Sequence, residues 1–281
     1  MVEIEKLANE VCFGGISTDT CKSYKLVRFI HKEHQKSCLD GDVLIGSLIR
    51  NKSFDDERFD SDESSYEIVW KNEKKEKWLL NEDECAKFIG VETMKKIGVK
   101  KITGSGSLTF KNKWVKNKNI FSLSFSIIKK GSHEYELEQL DNIRKNIGMP
   151  EDSFVLEFYK PSELIKILSE TLSKKSKLSY MPVSSWIKYK DRINYSGSFE
   201  DFKKTMNTER KGRNIAPFFI KTTNYSNDCE LRVIWLGHKN KEWNQIDSNK
   251  ALFEYDCPNH EIINIGNPNK IYGLHGENNM L

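Results

Sequence analysis

The sequence of 281 residues lacks any long hydrophobic run. Its apolar stretches stay near about eight residues where a membrane helix needs about 20, so no membrane association is expected. The amino terminus, Met-Val-Glu-Ile-Glu-Lys, has no apolar signal core, and the expected location is therefore the cytoplasm. The six cysteines, Cys12, Cys21, Cys38, Cys85, Cys229 and Cys257, form no C-x-x-C pair and have no histidine at metal spacing. They read as reduced, mostly buried thiols, and no metal is expected. Gly104-Ser105-Gly106 is not followed by the Lys-Ser/Thr that closes a phosphate loop. Neither a nucleophile elbow nor a calcium-loop pattern occurs, which leaves triad hydrolysis and calcium sensing without support.

What is present is the composition of a folded domain, with 37% hydrophobic, 31% charged and 11% aromatic residues. One domain over residues 21–281, preceded by a loosely attached leader over 1–20, accounts for the chain. The net charge of +4 is too mild to define a nucleic-acid binder. Its distribution is more telling: Lys111, Lys113, Lys116 and Lys118 surround Trp114, and Arg210, Lys211 and Arg213 form a second cluster. Such clusters are either solvated faces or contacts for nucleic-acid phosphates and bases.

Strand formers fill Tyr24–Ile30, which leads into a short helix ended by Gly41, then a strand at Val43–Ile45. Residues 82–97 carry helical periodicity. In the stretch 120–127, apolar residues alternate with serines, as in a strand with one apolar and one hydroxylated face. A helix near 134–147, a strand Phe154–Phe158 and a helix from Pro161 follow, and Pro161 suits a first helical position. Mixed strands and helices in this order indicate an α+β domain.

If Asp228–Trp235 is a strand, Cys229, Leu231, Val233 and Trp235 share one face, and Glu230 and Arg232 the other. The pair is either an ordinary ion pair or a functional carboxylate at the mouth of a cleft. Arg28 stands among Leu26, Val27, Phe29 and Ile30. It either partners an acid or anchors an anion such as a pyrophosphate. His31 and His34 lack a third metal ligand. The acidic loop bearing Asp60, Asp62 and Glu63 offers oxygen ligands, the basis of a weaker reading as a metal-dependent nuclease.

The succession of Tyr24–Ile30, a helix, Leu39-Asp40-Gly41, Val43–Leu48, Asp60–Glu63, Ile120–Ser126, Phe218–Lys221, Tyr225 and Glu230-Leu231-Arg232 resembles a widespread bacterial family of largely uncharacterised proteins, which closes on a Lys, aromatic, Glu-x-Arg signature. The layout is also similar to the ADP-ribosyltransferase superfamily, especially its DarT-like toxins. That resemblance implies a split mixed or antiparallel β core flanked by helices. It implies NAD as substrate, with Arg28, Tyr24 and His31 on its phosphates or ribose, Ser124 near the nicotinamide, and Glu230, with Arg232, as catalytic residues. A Glu-x-Glu or Gln-x-Glu ending is absent, since Asp228 and Arg232 flank Glu230 at those positions, so nucleic acid is favoured over protein as acceptor. The implied protein is a cytoplasmic toxin or antiviral-defence effector, neutralised by an antitoxin or chaperone. The alternative is a catalytically inert nucleic-acid- or protein-binding module on the same scaffold.

Overall fold

In a computed structural model, the protein is described over residues 12–13, 15–17, 22–48, 65–89, 91–113, 120–176, 178–189, 192–208, 216–221, 223, 229–238, 257–258 and 260–276. The strands in chain order are Cys12–Phe13 (β1), Tyr24–Ile30 (β2), Asp42–Ser47 (β3), Ser65–Trp70 (β4), Trp78–Leu80 (β5), Ile102–Gly104 (β6), Leu108–Lys113 (β7) and Phe121–Lys129 (β8). They continue with Phe154–Phe158 (β9), Ser179–Trp186 (β10), Lys188–Tyr189 (β11), Arg192–Tyr195 (β12), Ile220–Lys221 (β13), Glu230–His238 (β14), His260–Asn264 (β15) and Tyr272–Leu274 (β16). Helices are Gln35–Leu39 (α1), Glu82–Ile89 (α2), Val91–Ile97 (α3), His133–Asn146 (α4), Pro161–Ser176 (α5) and Phe199–Thr208 (α6). The chain is thus α+β, built on a large antiparallel sheet in the order β1-β10-β14-β8-β2-β9-β16.

The serine-spaced strand β8 is the axis of this sheet. Along one edge it pairs with β14 from Phe121 to Ser126. Its other edge is shared: β2 takes Ser126–Lys129, and β3 takes Phe121 and Ser122. The sheet therefore forks at residues 123–125 of β8. Chain direction explains the two prongs, because β2 passes through a 3-10 turn at Lys32–His34, then α1, before returning as β3. Gly41 makes that return with φ +96°, and a Cβ there would lie 2.7 Å from the Gly266 carbonyl oxygen.

Both faces of the sheet are covered. On the first, Phe121, Leu123, Phe125 and Ile127 of β8 and Leu231, Val233 and Trp235 of β14 pack against Leu164, Ile165, Leu168 and Leu172 of α5. Each such side chain removed from water contributes about 1.5–3 kcal/mol, so this layer is the main source of stability. On the second face α4 lays Leu140 and Ile143 over Val27 and Ile128. The same face farther along holds Ile234 and Leu236 under Ile187, Phe218 and Phe219. A smaller lobe of β4, β7, β12, α2, α3 and α6 surrounds Trp70, Trp78, Tyr195, Phe199 and Phe202.

Three readings of the sequence change. The helical stretch 82–97 is described as two helices, α2 over Glu82–Ile89 and α3 over Val91–Ile97. Cys229 is exposed with φ +46°, so it does not share the apolar face, and the strand begins at Glu230. Within residues 1–20, Cys12–Phe13 pairs with β10 and Ile16 is buried in the main core, so these three residues are part of the folded domain and not a loosely attached leader. Among the described residues no helix is long and apolar enough to cross a membrane.

Candidate functional site

Glu230 and Arg232 project from the first residues of β14 onto the serine face of β8. Arg232 is opposite Ser124 on β8 and Ser185 on β10, and Glu230 is opposite Ser126. The face is not open to water as a cleft mouth would be. The ribbon β11–β13 and the turn Ala216–Phe219 roof it, leaving Glu230 6% and Arg232 1% exposed. Lys221 comes from that roof. It is the last residue of the run Phe218-Phe219-Ile220-Lys221, whose apolar members are buried.

Glu230 is held on all sides. Lys221 Nζ lies 2.6 Å from Oε2, Arg232 Nε donates to Oε1 at 2.9 Å, and Ser124 Oγ donates to Oε1 at 2.5 Å. The Glu230 backbone N–H donates to the Tyr189 hydroxyl at 3.2 Å, while Arg232 Nη1 donates to the Phe218 carbonyl at 3.0 Å. Burial pushes the Glu230 carboxyl up, but Arg232 and Lys221 outweigh it and bring it from 4.5 down to about 2. Charge pairing therefore defeats desolvation. A carboxylate this acidic stays ionised at neutral pH and is a poor proton acceptor; what it can do is stabilise positive charge and accept hydrogen bonds from hydroxyls.

Access runs through the fork. Ser124 and Ser126 are half-buried, in contrast to Ser122, which is fully buried. The N–H of Lys130 and the C=O of Ile120 are directed to the β2/β3 edge, so even-numbered residues of β8 point their peptide groups that way. By this alternation Ser124 presents its N–H and C=O to the gap between the two prongs, where no described strand pairs with it.

The structure brings Glu230, Arg232 and Ser124 together but places Arg28, Tyr24 and His31 elsewhere. Arg28 follows the last β2–β8 pair by one residue and belongs to the Leu26 and Ile30 face of β2, which is the α5 side of the sheet. Tyr24 is on that side too, edge-on to Trp186 with ring centroids 5.1 Å apart. His31 is exposed beyond the end of β2. Neither His31 nor His34 joins a metal cluster, since among the described residues no group of three or more His, Cys, Asp or Glu side chains is placed to hold an ion. Lys113 ends β7 opposite Ser65. Its side chain, and Trp114, Lys116, Lys118, Arg210, Lys211, Arg213, Tyr225, Asp60, Asp62 and Glu63, lie outside the described residues.

No protein-family model, curated protein or solved structure matches this chain.

Two features escaped sequence reading. Tyr189 had no signal beyond its place in a short strand. A second polar cluster on the Glu230 face unites four distant segments: Lys25 Nζ is 2.8 Å from Glu136 Oε2 and 3.4 Å from Glu157 Oε2, and His275 Nδ1 is 2.8 Å from the same Glu157 oxygen. Glu230, Ser126, Val27 and Glu157 form one row across the sheet. Three interstrand steps put the two acid clusters about 14 Å apart. Glu157 is pushed up by burial, but His275 and Lys25 prevail and its carboxyl stays below its usual value. The cluster fastens α4 and β16 to β2 and β9.

Proposed function

We propose that the chain is an NAD-dependent ADP-ribosyltransferase whose NAD site is the Glu230 cluster at the fork of the sheet, with nucleic acid as acceptor. The observation that carries this reading is a glutamate held in its ionised form by Lys221 and Arg232, beside a half-buried serine where β2 and β3 part from β8. An ADP-ribosyltransferase-like split β core is the corresponding reading of the forked antiparallel sheet.

Breaking the nicotinamide–ribose bond develops positive charge on the ribose C1′ and ring oxygen, as in glycoside cleavage. Nicotinamide leaves with the bonding electron pair, and a nucleobase or other acceptor atom forms the new bond to C1′ and loses its proton to solvent. Glu230 opposes the developing charge and accepts a hydrogen bond from a ribose hydroxyl, which takes the place of the Ser124 Oγ–H. An acid of pKa about 2 suits that electrostatic role and not proton abstraction. Lys221 is the more accessible of the two cations, with a side chain 14% exposed against 1% for Arg232. It would face the NAD phosphates, while Arg232 braces Glu230. The basic runs at 111–118 and 210–213 would attract the acceptor strand. Acting inside a cell, such an enzyme is a toxin or antiviral effector and needs a neutralising protein partner.

A second reading has its own support. Both carboxylate oxygens of Glu230 are already satisfied by Lys221, Arg232 and Ser124, as in a polar brace within an inert binding module. Incubation with labelled NAD and total RNA, DNA or protein separates the two. Label should move to nucleic acid with the wild type and fail to move with Glu230→Gln, and transfer that survives the substitution removes Glu230 from the chemistry. Absence of both transfer and NAD binding selects the brace.

A further inference from the structure

The cluster of Lys25, Glu136, Glu157 and His275 borders a groove of about 380 Å³ between α4 and the β16 end of the main sheet. That volume falls in the range of about 300–1,000 Å³ usual for small-molecule sites. Leu137, Leu140, Asp141 and Arg144 recur at the three- and four-residue steps of one face of α4 and form one wall. Phe29 of β2, Val155 of β9 and Leu274 of β16 form the other, and His275 follows Leu274 into the lining. Leu137 is 46% exposed, a large apolar side chain at the lip of the groove.

His275 is the polar group that this setting leaves unused. Lys25 and His275 hold the Glu157 carboxyl below its usual value, so the carboxylate accepts the Nδ1–H at 2.8 Å and the Nε2 lone pair remains. The His275 side chain is 5% exposed, yet Nε2 has no hydrogen-bond partner among the described residues. A buried acceptor without a donor marks a place for one. Nε2 is 3.9 Å from Glu136 Oε2, which sets it beside the first turn of α4, about two turns from Arg144. Charge differs between the two ends. At the first, the carboxylates of Glu136 and Glu157 share one lysine, Lys25. At the second, Asp141 is engaged by two cations, Arg144 at 2.7 Å and Lys145 at 2.5 Å. A ligand that complements the groove therefore has an apolar body and brings a cationic donor to the His275 end.

We propose that the groove between α4 and the β2–β9–β16 end of the sheet binds a small ring-bearing amine, whose ammonium donates to His275 Nε2 with Glu136 as its counter-charge. The ring lies against Leu137, Leu140 and Phe29. The Glu230 cluster takes no part, so the site stands whether or not that cluster handles NAD.

The test is isothermal titration calorimetry near neutral pH with phenethylamine, phenethyl alcohol and phenylacetate, which share a body and differ in the head group. Phenethylamine should bind the wild type with a Kd on the order of 1 mM or below, the scale expected of a fitted ligand of about nine non-hydrogen atoms. The alcohol should bind several-fold more weakly and the anion not measurably. His275→Asn keeps a side-chain N–H for Glu157 and deletes the Nε2 acceptor, so it should weaken the amine about tenfold or more. Leu137→Arg changes only an exposed position, and it should abolish binding by removing apolar wall and adding a like charge. This second variant keeps the proposal testable if His275→Asn does not fold. Glu230→Gln should bind the amine as the wild type does. The proposal is overturned if phenethylamine does not bind, if phenylacetate binds as tightly, or if either groove variant retains the wild-type affinity when folded. Loss of binding in folded Glu230→Gln also overturns it, since the amine would then occupy the other cluster.

Discussion

Replacing Glu230 by glutamine keeps the shape of the side chain and removes one charge from between two cations. Its Oε1 and Oε2 lie 2.9 Å from Arg232 Nε and 2.6 Å from Lys221 Nζ, and both partners would remain beneath the β11–β13 roof. Removing one member of a buried pair costs about 3–5 kcal/mol. Linkage gives an independent figure: a carboxyl lowered from 4.5 to about 2 by its folded environment corresponds to roughly 3 kcal/mol. The two agree in scale and imply a fall in melting temperature of about 5–8 °C at pH 7. The sign with pH follows. The folded pKa is depressed, so this stability is fully present above about 4.5 and is lost as pH falls toward about 2. Melting curves of wild type and Glu230→Gln should therefore be well separated at pH 7 and converge in acid. Equal midpoints at pH 7, or a gap that does not narrow in acid, would refute the electrostatic account of Glu230.

Leu168 of α5 is completely buried in the main core, and Leu168→Ala should cost about 2–5 kcal/mol in a urea titration. Cys229 has φ +46°, so Cys229→Gly should raise the melting midpoint and Cys229→Val lower it, whereas equal effects would show that the conformation carries no strain. Trp235 Nε1 donates to Ser169 Oγ at 2.8 Å, and Ser169→Ala should lower stability by about 1 kcal/mol while Trp235 stays buried, as its fluorescence maximum would report.

The central elements were legible because their patterns are local. Alternating serines marked β8, the boundaries of Tyr24–Ile30 and Phe154–Phe158 agree with the strands observed, and Pro161 opens α5. Faces were legible within a strand, so Glu230 and Arg232 were correctly assigned to one side of β14. What periodicity cannot show is whether a polar face meets water. Here Phe218, Phe219 and Ile187 cover it, so of the two arrangements the sequence left open, an ion pair or a carboxylate at a cleft mouth, the residues form a buried cluster. Nor can it relate the faces of separate strands. Arg28 and Glu230 each looked like a charge in an apolar strand, yet the register across β8 sets them on opposite sides of the sheet. The Lys25, Glu136, Glu157 and His275 cluster joins residues more than 100 positions apart and left no local trace.

The account turns on whether Glu230 meets the ribose of NAD. Nicotinamide release, followed by chromatography under saturating NAD without any added acceptor, measures this directly, because water can then take the acceptor's place. Wild-type protein should release nicotinamide, and Ser124→Ala, which leaves the carboxylate ionised, should retain release. Glu230→Gln, assayed well below its melting temperature, should lower the rate by at least about a hundredfold, the scale of losing one electrostatic stabiliser of a transition state. Equal rates in wild type and Glu230→Gln, or no release from folded wild-type protein, would contradict it.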